Sequence, residues 1–363
     1  MDHHAVIFST ISAIYLFLAF KENKGHYWFF TTVFLAASFL SKQIPSAYLL
    51  IVFTIFIFLY FILFSRNDFK FLIFLAAGSL FSLLLFSSFI VINKIPFQNF
   101  LIQYIQFPLE IGKERSPEIN FEFKNIFLQF KFLYFSIIPL LIVLVKLTKK
   151  KINFEIKKDY FLLFYTLCVF GSFILGQIFT KNQILIFFLI PLFIGISHHF
   201  SYKYFNNKNN INIFLVFLLI FATIKFHLRF NENKKFMELT NADMNLAINA
   251  ITLDKSLKGL KWITPNYPKD PNSELKKLID IKEIIMNDKS NLIIVTDYQI
   301  LPSITKIKNI APNKWFDNLS VPKQESNYFY VYKNFFLKNL KKQKISTIYT
   351  FDGKEVFIKD FLE

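Results

Sequence analysis

The chain has 363 residues, 54% hydrophobic and 18% charged, with 51 Phe, 8 Gly and a formal net charge of +17 from 42 Lys and Arg against 25 Asp and Glu. This composition excludes a disordered chain, a collagen-like repeat and a disulfide scaffold, and the single Cys168 allows no intrachain disulfide. The apolar residues come in blocks rather than at helix or strand period, which argues against an ordinary soluble globule; the basic excess is almost all Lys in a chain rich in Phe, Ile, Asn and Tyr, an AT-rich codon pattern, so no nucleic-acid partner is expected.

In chain order the blocks are Ala5–Phe20, Tyr27–Leu40, Ile44–Phe64, Phe71–Ile92, Phe132–Val145, Tyr160–Thr180, Ile184–Ile196 and Ile211–Ile224. The longest match the roughly 20 residues that cross a hydrocarbon core of about 30 Å as a helix. Flanking Lys and Tyr can reach the interface and lengthen the shorter ones. The pattern predicts a membrane α-helical domain of about eight transmembrane helices over residues 1–226, followed by a small C-terminal α/β domain over 227–363. No basic region or small-residue cleavage site accompanies the first block, so it reads as an anchor and not a signal peptide.

The Lys and Arg bias of the short loops sets the expected orientation. Lys21–His26, Ser65–Lys70, Lys146–Asp159 and Ser197–Asn210 lie inside; the N-terminus, Ser41–Gln43, the long loop 93–131, Lys181–Gln183 and the C-terminal domain lie outside. In that domain Leu257–Thr264, Leu292–Thr296 and Ile345–Phe351 read as strands, while Asn272–Asp288 and Tyr328–Leu340 read as helices, an alternation that suggests a partly parallel sheet.

Charge at bilayer depth costs about 2.5–3.5 kcal/mol on insertion scales, so polar residues beside the apolar blocks are the candidates for chemistry. Asp2, His3 and His4 combine a carboxylate with imidazoles, which suits a general base or a divalent cation but also an ordinary solvated terminus. Lys42 and Gln43 fill the break between two blocks, with Pro45 ending the helix; a Lys there neutralises a phosphate or simply anchors at the interface. In the outer loop, Gln103-Tyr104 leads to Gly112-Lys113-Glu114-Arg115, and Arg115 either forks onto phosphate or pairs with Glu110 and Glu118. Thr180-Lys181-Asn182-Gln183 suits a ligand headgroup or plain turn chemistry. His198 and His199 diverge by about 100° on a helix, share no face and read as structural. Asp297 follows a predicted strand, where open sheets bind ligands and where turn-capping Asp is also common. No GxGxxG, P-loop, HExxH, CxxC or GxSxG motif occurs.

The stretch Trp28–Leu50, with Phe39-Leu40-Ser41-Lys42-Gln43 between apolar segments, resembles the helix–Lys-Gln–helix signature of GT-C fold glycosyltransferases, in particular the protein-mannosyltransferase-like branch that uses polyprenyl-phosphate sugar donors. The order of Asp2, a basic inner loop and then Lys42 is similar to that family's order, as is Lys181 followed by Ile190-Pro191, and the resemblance covers roughly residues 1–226. Relative to the family the chain is expected to lack an N-terminal helix and the first outer loop, which carries the principal acid, so that Asp2 aligns with the second acidic site. The resemblance implies a bacterial inner-membrane hexosyltransferase that moves a sugar from a polyprenyl-phosphate donor to an extracytoplasmic glycan, lipid or protein acceptor. It implies Asp2 as base or cation ligand, His3 and His4 as cation ligands or hydrogen-bond partners, Gln43 as a substrate contact, Lys42, Arg115 and Lys181 as phosphate clamps, and a divalent cation held by Asp2 and His3. Two alternatives stand beside it: a transporter for a lipid-linked substrate, for which charged mid-membrane helices and internal symmetry are missing from the sequence, and a non-catalytic membrane-anchored binding or assembly protein whose tail does the work.

Overall fold

The computed structural model describes residues 2–65, 69–110, 122–151, 153–180, 185–205, 209–233, 239, 242–309, 311, 313, 315–317, 320–351 and 353–363. The chain divides into two compact units, Met1–Phe226 and His227–Glu363.

The first unit is a helical bundle of α1 (Asp2–Glu22), α2 (Gly25–Ser41), α3 (Gln43–Phe64), α4 (Lys70–Ile92), α5 (Lys131–Thr148), α6 (Phe154–Thr180), α7 (Leu189–Phe205) and α8 (Asn209–His227, entering the second unit at its last residue). Among the described residues seven helices are long and apolar enough to cross a membrane; α2, at 17 residues, is the apolar block that falls short. Its neighbours show why it can be short. Ser38 Oγ donates to Ala5 O (2.8 Å), Ser12 Oγ donates to Thr31 O (2.6 Å), and the Trp28 ring meets Phe20 edge-on at 5.5 Å, so α2 runs antiparallel to α1 along most of its length. Small hydroxyl residues at this interface let the helices approach and satisfy their side chains on neighbouring carbonyls, as packing in lipid requires. The α1–α2 turn is made by Asn23, whose φ of 51° is the left-handed conformation Asn tolerates; its side chain accepts from Trp28 Nε1 (3.1 Å).

Lys42, between α2 and α3, has extended backbone (φ −165°, ψ 137°), and Ile44, just inside α3, is also non-helical (φ −104°, ψ 130°). Pro45 therefore opens α3 instead of ending α2, the first-turn position where a missing N–H costs nothing. An aromatic core of Phe20, Trp28, Tyr60, Phe71, Phe161 and Tyr165 fills one end of the bundle, and Tyr165 OH donates to Ala13 O (2.9 Å), giving its buried hydroxyl a helix carbonyl as partner.

The second unit combines helices and irregular segments with two short two-stranded sheets. β1 (Ile248–Asn249) pairs antiparallel with β2 (Lys261–Trp262), and β3 (Leu292–Val295) pairs parallel with β4 (Thr347–Thr350), Leu292 opposite Thr347 and Val295 opposite Thr350. The strand expected over Leu257–Thr264 shrinks to Lys261–Trp262, because Lys255–Leu257 turns as a 3-10 helix capped by Asp254 and Gly259 takes φ 88°. The helices are α9 (Pro271–Asn287), α10 (Ile300–Ile304), α11 (Phe329–Lys342) and α12 (Lys359–Leu362). α9 begins with Asp270 accepting from Ser273 N (3.1 Å) and Pro271 in the first turn, both standard start signals. Ile293 and Val295 of β3 pack with Phe316, Phe329, Phe336 and Phe361 into one core.

Candidate functional site

The candidate residues at the starts and ends of the bundle helices converge on one rim. His3 lies 6.3 Å ring to ring from Phe188, in the 3-10 turn Leu185–Phe188 that leads into α7. The start of α1 also meets the end of α2 through Ala5 and Ser38. The break between α2 and α3 is strapped by the helical turns Phe97–Phe100 and Leu101–Gln106: Tyr104 OH donates to Phe39 O, its ring meets Phe39 edge-on at 6.1 Å and stacks on Phe100 at 5.1 Å, and Gln43 Nε2 donates to Tyr104 O (2.5 Å). Burial pushes the Tyr104 hydroxyl up to about 12, so it remains a donor at neutral pH. On the other side of the break, Ile44 and Pro45 lie against Gly176 near the end of α6, where a Cβ would sit 3.4 Å from each, and Tyr48 packs on Phe179 at 5.8 Å.

His3, His4, Lys42 and Gln43 thus share one end of the bundle. His3 and His4 are exposed and Lys42 and Gln43 half-buried. Asp2 starts α1 at the same end, but its side chain lies outside the described part, as do Arg115 and Lys181 together with Gly112, Lys113, Glu114, Glu118, Asn182 and Gln183. Among the described residues no three His, Cys, Asp or Glu side chains gather as a cation site would require. Asp2 and His3 alone do not make a complete donor set for a divalent cation.

The rim includes one residue that composition hides. Gln177, three residues before the end of α6, is 5% exposed, and its Oε1 is buried with no hydrogen-bond partner among the described residues. It falls on the helix face of Phe170 and Phe173, both in the bundle core. An unpaired buried carbonyl oxygen costs about 1–3 kcal/mol, and uncharged Gln inside an apolar block gives no charge signal to read. Below the rim an apolar cavity of about 130 Å³ lies among α1, α6 and α7, with Ile14 on its exposed lip and Tyr165 and Phe193 in its wall.

The opposite end holds the basic loops. There Lys203 Nζ bridges Asp159 (2.6 Å) and Glu155 (2.7 Å), and Tyr204 OH donates to the same buried Asp159. Lys146 Nζ donates to Tyr204 O (2.6 Å) and Lys158 Nζ to Lys21 O (2.8 Å), so ammonium groups meet the carbonyl ends of α7 and α1, where the helix dipole is negative. His198 and His199 lie near this end, exposed, against Tyr202 and Phe200. In the second unit Asp297 pairs with Lys354 Nζ (2.8 Å), and Lys354, buried, also donates to Phe316 O (3.0 Å); the pair ties the segment after β3 to the segment after β4.

No family model, curated protein or solved structure matches the chain. The rim itself and the bilayer setting that seven apolar helices imply are the features that bear on function.

Proposed function

We propose that this integral membrane protein is a GT-C-type glycosyltransferase that moves a sugar from a polyprenyl-phosphate donor to an extracytoplasmic acceptor, with the chemistry at the rim of His3, His4, Lys42 and Gln43. The observation that carries the reading is that the start of α1, the α2–α3 break, the Tyr104 strap and the end of α6 meet at one end of the bundle. A lipid-borne sugar needs that arrangement: its tail stays in the bilayer, so its phosphate and sugar are reachable only at an interface. The apolar cavity beside Ile14 suits a few carbons of such a tail. In this reading Lys42, Arg115 and Lys181 stabilise the phosphate as the sugar leaves, Asp2 takes the proton from the acceptor hydroxyl, and the unpaired Gln177 Oε1 accepts from a sugar hydroxyl. Any cation would take Asp2 and His3 as protein ligands and donor phosphate oxygens for the rest. The His227–Glu363 unit is read as a small α/β domain outside the cytoplasm, the side to which the lysine bias of the short loops assigns it.

The test is donor turnover by the full chain in nanodiscs, measured as release of polyprenyl phosphate from a polyprenyl-phosphate hexose. Lys42→Ala and Arg115→Ala are each expected to lower the rate roughly 10²-fold, the scale set by removing one group that stabilises developing negative charge. Wild-type rates in both variants would remove the clamp assignment, and no turnover by wild type with any hexose donor would remove the transferase reading.

A further inference from the structure

A further cleft lies in the His227–Glu363 unit. It measures about 520 Å³ and is lined by residues of α10 and the segment that follows it, including Gln299, Ser303, Lys306, Lys308, Asn309 and Asn313. Among the described residues that line it there is no carboxylate. Lys306 and Lys308 are exposed and form no ion pair among the described residues, whereas Lys282, Lys354 and Lys359 of the same unit each pair with an acid.

The segment carrying these two cations is fixed. β4 covers one edge of β3; on the other edge, Asn309 Oδ1 accepts from Ile294 N (3.1 Å) and Asn309 Nδ2 donates to Ile294 O (3.0 Å), so its carboxamide takes the place of a neighbouring strand. Gln299 Nε2 is held on Thr296 O (2.8 Å) and Asn313 Nδ2 on Ser320 O (2.6 Å). Lys306 itself has φ 55°, the left-handed conformation that closes the end of α10. Cations on a braced segment, in a polar hollow without acids, suit an anion. The charge also sets the class: two ammonium groups balance the −1.5 to −2 or so carried by a phosphate monoester at neutral pH, and the volume admits a phosphorylated sugar-sized group.

We propose that this cleft binds a phosphate group through Lys306 and Lys308, with the Ser303 hydroxyl as a further donor. The phosphate can belong to a soluble compound or to a lipid headgroup, and two arms of one experiment separate them. The full chain in zwitterionic nanodiscs is titrated with inorganic pyrophosphate by calorimetry. The same particles are then irradiated with a photoreactive phosphatidic acid, and labelled peptides are mapped. Saturable pyrophosphate binding that Lys306→Gln/Lys308→Gln weakens at least roughly tenfold, and Lys306→Arg/Lys308→Arg restores, supports a soluble ligand. Labelling of residues 299–313 that the Gln pair abolishes and the Arg pair restores supports a lipid phosphate. Binding and labelling both absent in wild type, or unchanged by the Gln pair, overturns the proposal.

Discussion

Glu274 is 1% exposed, yet among the described residues no cation pairs with it. Its Oε2 accepts from Trp262 Nε1 (2.8 Å), and its Oε1 accepts from Thr264 Oγ1 and Tyr298 OH (both 2.7 Å). A carboxylate can serve three donors because both its oxygens only accept. Glu274→Gln puts an NH₂ where an acceptor was, facing a donor, and is expected to destabilise the C-terminal unit by about 1–3 kcal/mol. Denaturant unfolding followed by Trp262 fluorescence checks it; an unchanged midpoint would mean the three bonds contribute nothing. Asp288 supplies a pH dependence in the same unit. The Ser290 N–H, the Ser290 hydroxyl and then Tyr349 OH hold its carboxyl below the usual range, and Asp288 in turn raises the Tyr349 hydroxyl. A depressed carboxyl contributes stability above about pH 4, lost as pH falls through the folded value, whereas a raised phenol contributes below about pH 10, lost as pH rises through its folded value. Asp254, lowered first by its bond from Lys282, adds to the acid limb. Asp288→Asn is therefore expected to leave the pH 7 midpoint of unfolding less sensitive to acidification to pH 3 than wild type, with part of the fall remaining through Asp254.

At the scale of elements, α2 and α4 cross closely, and Gly78 sets the distance. A Cβ there would lie 2.2 Å from Thr32 Oγ1 and 2.5 Å from Phe29 O, and the second of these is backbone that cannot swing aside. Gly78→Ala gains up to about 1 kcal/mol of helix propensity but forces the helices apart at a cost of about 1–3 kcal/mol, so the net is destabilising. Gly171, where a Cβ meets nothing within 4 Å, is the control: Gly171→Ala is expected to raise the melting temperature in detergent while Gly78→Ala lowers it. The apolar blocks were readable because lipid demands long runs without charge, and helices stand at all the predicted blocks; Asn272–Asp288 and Leu292–Thr296 were readable from period and β-branching. What the sequence hid depends on distant contacts. The Tyr104 bond to Phe39 spans 65 positions, and the pairing of Asp159 with Lys203 and Tyr204 joins α6 to α7. Nothing local marks either, nor the isolation of Gln177 Oε1. Nor could periodicity say that Pro45 opens a helix, since Pro serves at a helix start or after its end.

For the whole molecule, the topology turns on the 17-residue α2, because one fewer crossing reverses every later loop. At about 1.5 Å per residue it spans roughly 25 Å, short of a hydrocarbon core of about 30 Å. The packing argues that it crosses. Its start, at Trp28, meets Phe20 and Phe71 at the lysine-bearing end, and its end, at Ser38, meets Ala5 at the rim. α4 then runs back to the rim, where Phe86 meets Phe100 of the Tyr104 strap, and α5 returns to Lys146 beside Tyr204. With α2 crossing, the ends alternate without exception, and the Lys-rich connections fall together, as the charge bias of membrane loops requires. In a Cys168→Ser background, Lys24→Cys and Lys150→Cys are expected to react with a membrane-impermeant maleimide from one side of sealed vesicles, and Lys42→Cys and Lys94→Cys from the other. If Lys24→Cys and Lys42→Cys label from the same side, α2 lies in one leaflet, and the rim is then split: the starts of α1 and α3 would face opposite sides, and no shared hollow could hold a lipid-borne sugar.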